Sequence, residues 1–207
     1  MYTQSLILAV LPLMAHAVDI IQFAIWEDSV PNTECNLDLD GAYFMCSNIP
    51  AETCCANFWK TTSSILGRGL NNTQVDGRDP DSFAVFNGED GDPCAVTTES
   101  YCGGGGGFED FCWATDGGQE GCGAKETGGS LWHSGDEHLK GRFAKRNVDA
   151  VKPNVAGIWD AVERKHRHFR IGGDVPADVT TILVEAVKAN AGYGYLDESV
   201  KALEITE

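Results

Sequence analysis

Apolar positions along the chain follow three patterns. The first is a continuous run from Leu6 to Ala15, interrupted by nothing charged. A bilayer span takes about 20 apolar residues, so this run is too short to cross one and fits the hydrophobic part of a secretory leader. The small residues of Ala15-His16-Ala17 put the expected cut after Ala17, which makes residues 1–17 a signal peptide. A cut after Ala15 would instead leave His16 at the N-terminus; Leu13, three residues before that bond, disfavours it.

The second pattern is a set of short runs rich in β-branched and aromatic residues, separated by Gly, Asn, Asp and Pro. Val18 to Trp26 predicts a first strand packed on at least one face. Ala42 to Cys46, Ser63 to Leu66, Phe83 to Phe86 and Ser130 to His133 predict others. In this part of the chain the best helix signal lies around Ala51 to Trp59.

The third pattern has helical period. Val179, Ile182, Leu183, Ala186, Val187 and Asn190 recur at 3.6-residue spacing after Asp174-Val-Pro176, predicting a helix over about 175–191. Asp174 is the expected N-cap, Pro176 falls in the first turn, and Gly192 is the expected stop. A short helix and a strand are expected within Leu196 to Ile205. The fold class that follows is α+β, a disulfide-rich antiparallel β core with a C-terminal helix.

Charge divides the chain. Residues 18–139 carry 21 acidic against four basic side chains, whereas residues 140–207 carry ten against eleven. The expected organisation is an acidic Cys-rich β domain (18–139), a basic linker (140–155) and a Cys-free C-terminal segment (156–207). So acidic a first part repels phosphate backbones and anionic lipid, which argues against nucleic acid or membrane as its partner. An extracellular protein or a glycan is the expected partner class.

All eight cysteines, Cys35, Cys46, Cys54, Cys55, Cys94, Cys102, Cys112 and Cys122, fall in the acidic part. Between residues 88 and 129, 13 of 42 residues are Gly, and the backbone entropy they lose on folding calls for cross-links. Each closed loop contributes about 2–4 kcal/mol. Eight cysteines permit on the order of a hundred pairings, and spacing does not choose among them. Adjacent Cys54 and Cys55 are expected to reach different partners.

Candidate chemistry is sparse. Asn71-Asn72-Thr73 is an N-glycosylation sequon in a loop setting, and Lys145-Arg146 is a dibasic pair of the kind after which secreted precursors are cut, which would release the Cys-free tail; a pair of solvated surface residues is the other reading. Asn36-Leu-Asp38-Leu-Asp40-Gly41 copies half a calcium loop, but Ser47 stands where a bidentate Glu is required, and a polar turn between Cys35 and Cys46 accounts for it. His133, His138, His166 and His168 are metal-ligand types without diagnostic spacing. Ser134, His133 and Asp136 are too close in sequence for a triad. Gly103 to Gly107 is followed by Phe108-Glu109-Asp110 instead of Lys and a hydroxyl, so a flexible loop is expected there and not a phosphate cradle. No motif calls for a cofactor.

Cys46-Ser-Asn-Ile-Pro-Ala-Glu-Thr-Cys54-Cys55, Thr62-Ser-Ser-Ile-Leu-Gly-Arg-Gly-Leu70 and the ending from His168-Phe-Arg-Ile to Leu203-Glu-Ile205 resemble small secreted cysteine-rich proteins of filamentous fungi. The resemblance covers about a third of the chain and leaves Asp76 to Gly129 without a counterpart. It implies an extracellular location, a disulfide-linked β core with a C-terminal helix, and effector or cell-wall roles. The leading functional expectation is a secreted, non-enzymatic interaction protein. The alternatives are a secreted glycan-active enzyme, hydrolytic or copper-dependent with an N-terminal His16, and a cell-wall structural protein.

Overall fold

The computed structural model describes residues 16–24, 34–57, 62–73, 79–87, 92–94, 101–114, 128–135 and 148–205. In chain order the elements are β1 (Val18–Ala24), β2 (Tyr43–Ile49), β3 (Cys54–Ala56), β4 (Thr62–Arg68), β5 (Ser82–Phe86), β6 (Tyr101–Gly106), β7 (Asp110–Ala114), β8 (Gly129–His133), β9 (Ala150–Val151), β10 (Val155–Asp160), β11 (Lys165–Arg170), α1 (Ala177–Lys188) and a short α2 (Glu198–Lys201). They build a six-stranded sheet, β11-β10-β2-β1-β4-β7, and a five-stranded sheet, β6-β5-β8-β3-β9. All pairs are antiparallel except β3 with β9. The architecture is therefore the α+β, disulfide-rich β core with a C-terminal helix that the residue pattern predicts.

One face of the six-stranded sheet carries two clusters of the core, and the opposite face carries a third, Ile21, Phe23, Tyr43, Met45, Leu66 and Val155 with Cys35. Ile20, Cys46 and Ile65 on the first face pack against Phe83, Val85 and Trp132 of the smaller sheet. Beside them Phe44, Ala156, Ile158 and Phe169 pack under Leu183, Ala186 and Val187 of α1. Leu183, Ala186 and Val187 of the expected stripe are the face that α1 buries, with Val179 half-buried, whereas Ile182 and Asn190 are exposed. Burying a Leu- or Phe-sized side chain contributes roughly 1.5–3 kcal/mol, which anchors the helix to the sheet.

Polar side chains stitch the two sheets. Gln22 Nε2, fully buried on β1, donates to the carbonyl of Ala56 at 3.1 Å, and Trp132 Nε1 donates to the carbonyl of Ile49 at 2.9 Å. The Cys46–Cys55 disulfide joins β2 to β3, and Cys35–Cys112 and Cys54–Cys94 complete three resolved bridges. Cys102 is also disulfide-bonded. Cys122 lies outside the described residues, as do Lys145, Arg146 and His138. The two members of the Cys54-Cys55 pair do reach different partners. Cys35 and Cys46, however, do not close the polar turn between them: each is bonded elsewhere.

Four local expectations give way to tertiary structure. The helix expected around Ala51 to Trp59 is replaced at Cys54–Ala56 by β3, because the two bridges draw its cysteines into the smaller sheet. The glycines expected to form a flexible loop form β6, an edge strand paired with β5. A Cβ on Gly105 would sit 2.5 Å from the Phe111 ring, so a bare backbone is what lets β7 approach this edge. Helix α1 has Pro176, not Asp174, at its N-cap, and it ends at Lys188 with Ala189 as C-cap, before Gly192 is reached. Asn190 takes a positive φ of 48° while Ala191 N–H bonds the Ala186 carbonyl at 2.8 Å. Lastly, the expected linker supplies β9 and the first residue of β10, and β10 pairs with β2, so the Cys-free segment is part of the sheet and not an appendage. Its β-branched and aromatic residues, Val155 to Trp159, complete a ladder that the acidic part leaves open.

Candidate binding site

Strand β11 sorts its side chains by alternation. Phe169 points into the core under α1, with Lys165 and Arg167 on the same side. His166, His168 and Arg170 therefore face the opposite side of the sheet, alongside Tyr43 and Met45 of β2 and Val155 of β10. Gly157 of β10 lies directly under the Tyr43 ring.

On this opposite face Tyr43, itself buried, organises the histidines. Its hydroxyl is 2.5 Å from His168 Nε2, and its ring centroid is 4.7 Å from that of His166. His166 Nε2–H donates to the Gly41 carbonyl at 2.6 Å, and the ring meets Trp159 edge-on at 5.0 Å. Burial lowers the His166 pKa below the usual imidazole value, and the nearby His168 acts the same way against the opposing Gly41 carbonyl.

Beside this cluster the face opens into a cleft of about 950 Å³. Met45, Val155 and His168 form its floor, and the loop 171–176 and the ending 203–205 stand around it. The rim is polar. Asn154 Oδ1 accepts the Ser47 N–H at 2.8 Å while its Nδ2 donates to Ser47 Oγ at 3.1 Å. Asp19 Oδ1 accepts the N–H of Asn48 at 2.9 Å, which holds Asn48 at a positive φ of 55°. Arg170 is exposed, with no hydrogen bond or ion pair among the described residues.

Behind β11, on the helix side, charges are consumed structurally. Arg167 bonds Asp160 Oδ2 through Nη2 at 3.0 Å and Glu204 Oε1 through Nη1 at 3.0 Å, and lies over the Tyr193 ring. Glu204 and Asp160 hold its pKa above the usual guanidinium value despite desolvation. Desolvation pushes the Asp160 carboxyl up, but the Glu163 and Val162 N–H groups and Arg167 together hold it below its ordinary value. This network clamps the C-terminal residues to β11.

The sequence-marked candidates do not converge. His133 is on the smaller sheet, its Nδ1 against Glu52 Oε1 and its Nε2 buried without a partner among the described residues, whereas His166 and His168 are on the larger one. Among the described residues no group of three or more His, Cys, Asp or Glu side chains is placed to hold a metal ion. Asn71 is exposed, and its Oδ1 accepts Thr73 Oγ1–H at 2.9 Å within the sequon. Asn36 Oδ1 caps the backbone of Asp38 at 2.8 Å in the half calcium loop. Among the described residues no helix is long and apolar enough to cross a membrane.

Tyr43, Asn154, Asn48, Asp19 and Arg170 escape a sequence reading, since they are spread over β1, β2, β11 and the turn before β10. The one available signal was the alternation in Lys165-His-Arg-His-Phe-Arg170, which reads as a strand once its charge is set aside. No protein-family model, no curated protein and no solved structure matches this chain.

Proposed function

We propose that this protein is a secreted, disulfide-stabilised interaction protein of the effector-like kind, which binds a neutral extracellular glycan in the cleft on the His168 face of its larger sheet. The observation that carries this reading is the cleft's rim. Asn, Ser, Asp and an uncommitted Arg offer donors and acceptors at several angles, as a polyhydroxylated ligand requires, over a floor of Met45 and Val155 beside His168. A formal net charge of −16 disfavours anionic ligands. The bridges suit an oxidising compartment, and the resemblance to small secreted cysteine-rich fungal proteins points the same way.

Calorimetric titration of the secreted protein with neutral β-linked glucose and N-acetylglucosamine oligomers tests it, with oligogalacturonate as the anionic comparison. Saturable binding of a neutral oligomer, weakened about tenfold by Arg170→Ala or Asn154→Ala, is expected, since each loses one charged or amide hydrogen bond. Heat from no neutral oligomer, or heat unchanged by either variant, would discard the cleft as a glycan site and leave a protein partner as the better reading.

A further inference from the structure

Strand β6 is one edge of the five-stranded sheet, and its residues Gly103 to Gly106 carry no side chain. Gly107 continues the run, and its N–H donates to the Asp81 carbonyl at 3.4 Å, which fixes the phase of the ladder with β5. Along an antiparallel strand the N–H and C=O groups point alternately to the partner and away from it. Gly105, two residues before Gly107, therefore bonds toward Phe83, while Gly104 and Gly106 turn their groups outward. Burial agrees, since Gly104 and Gly106 are exposed and Gly105 is half-buried. The outward groups of Gly104 and Gly106 have no partner among the described residues.

Edges of this kind are ordinarily blunted by charged side chains, proline or a bulge. From Gly103 to Gly106 there is neither charge nor proline, and the one register shift against β5 lies at the other end, between Val85 and Phe86. Packing inside the chain demands part of the glycine run: a Cβ on Gly104 would stand 2.0 Å from the Phe83 carbonyl oxygen. The same lack of side chains leaves the outer edge bare, so a second backbone can come within hydrogen-bonding distance of it.

The flanks define the strand that fits. Phe108, directly after the run, is 56% exposed, and its ring centroid lies 6.0 Å from that of the half-buried Phe111, which covers Gly105. Alternate side chains of an added strand would lie along this aromatic side. Glu109 is exposed, and its carboxylate has no hydrogen bond or ion pair among the described residues. Residues 18–139 carry 21 acidic against four basic side chains, so the complementary chain is positive, and a second copy would bring the same negative charge. We propose that the edge of β6 takes up an extended basic peptide segment as an added strand, with alternate apolar side chains toward Phe108 and Phe111 and Lys or Arg answering Glu109. This surface is on the smaller sheet and does not depend on the glycan cleft of the larger one.

A peptide of alternating Val and Lys is the probe, with alternating Val and Glu as the comparison, and amide exchange followed by NMR on the full isotope-labelled chain locates it. Without peptide, the Gly105 amide should exchange slowly and those of Gly104 and Gly106 fast. Saturating Val-Lys peptide should slow Gly104 and Gly106 at least tenfold, since each then depends on opening of the added strand. Glu109→Lys keeps the backbone carbonyl that accepts the Gly69 and Leu70 N–H groups, and it should weaken the peptide about tenfold. Binding without protection of Gly104 and Gly106, no saturable binding, equal binding of the Val-Glu peptide, or an affinity unchanged in Glu109→Lys would each overturn the proposal. Protection of both amides that grows with protein concentration in the absence of peptide would overturn it in favour of a second copy.

Discussion

The ring of Tyr43 lies flat against Gly157 on the neighbouring strand, so close that a Cβ at position 157 would stand 2.3 Å from Tyr43 Cζ and 2.4 Å from Cε2. Tyr43 and Gly157 are direct cross-strand partners, and Gly157 also faces His168 across the next pair. The missing side chain gives the ring its place and brings its hydroxyl to His168. Gly157→Ala should therefore displace the ring and destabilise the fold by about 1–3 kcal/mol, the usual range for overpacking. Urea unfolding reads the loss directly. A midpoint equal to the parent's would show that the ring has another low-energy position.

The bridges allow a matched comparison. Cys54–Cys94 and Cys46–Cys55 are almost equally buried, but their sequence separations are 40 and 9. Packing losses on double Ala substitution therefore nearly cancel, and loop closure in the unfolded chain remains. Removing Cys54–Cys94 should cost about 1 kcal/mol more than removing Cys46–Cys55. Non-reduced peptide mapping should recover both, together with Cys35–Cys112, and join Cys102 to the one remaining cysteine, Cys122. A Cys54–Cys55 ring in that map would overturn the topology of the smaller sheet.

Acid should weaken this fold in two separate windows. His166 is held neutral by burial, so its folded pKa lies below the ordinary value of 6.5. Between the two the unfolded chain binds more protons, and stability falls as pH drops through that interval. His168 and Asp38 flank the ring and pull in opposite directions. Asp160, with its folded value below 3.8, contributes stability that is present above that pH and lost further into acid. His166→Gln should flatten the urea midpoint between about pH 7.5 and pH 5.5 while leaving the lower window in place. A slope unchanged by that substitution would assign the upper window to another histidine.

Much of the fold was legible because it is written locally. Ile20, Phe44, Ile65, Val85 and Trp132 sit in short β-type runs whose punctuation marks their ends, and Leu183 with Val187 marks one face of a helix. What stayed hidden depends on contacts remote in sequence. Gly104 and Gly105 look like loop residues until Phe83 and Phe111 are seen filling the space their side chains would take. The charge of Lys165 to Arg170 masks a strand, because His168 and Arg170 line a cleft while Arg167 on the helix side is satisfied by Asp160 and Glu204. The cleft itself is built from β1, β2, β10, β11 and the chain end, and no spacing rule connects Asp19 with Asn154 or Arg170. His16 is the sharpest case. Read alone it belongs to a leader, and only its seat against Trp132 and Asp81 marks it as part of the fold.

The dibasic pair Lys145-Arg146 carries a prediction that reverses its plain reading as a release site. Everything after it that the structure describes is held by the part before it. Val155, Ala156 and Gly157 pair with Met45, Phe44 and Tyr43, Ala150 and Val151 run parallel to Cys54 and Cys55, and Phe44 lies under Leu183 and Val187. None of these links is covalent, since the segment from 147 onward has no cysteine. A protease cut after Arg146 should therefore yield two pieces that elute together from gel filtration in native buffer. They should separate in urea without reductant, because backbone pairing and apolar burial are all that join them. A tail that leaves the core in native buffer would mean that β10 contributes far less to the sheet than its register with β2 implies.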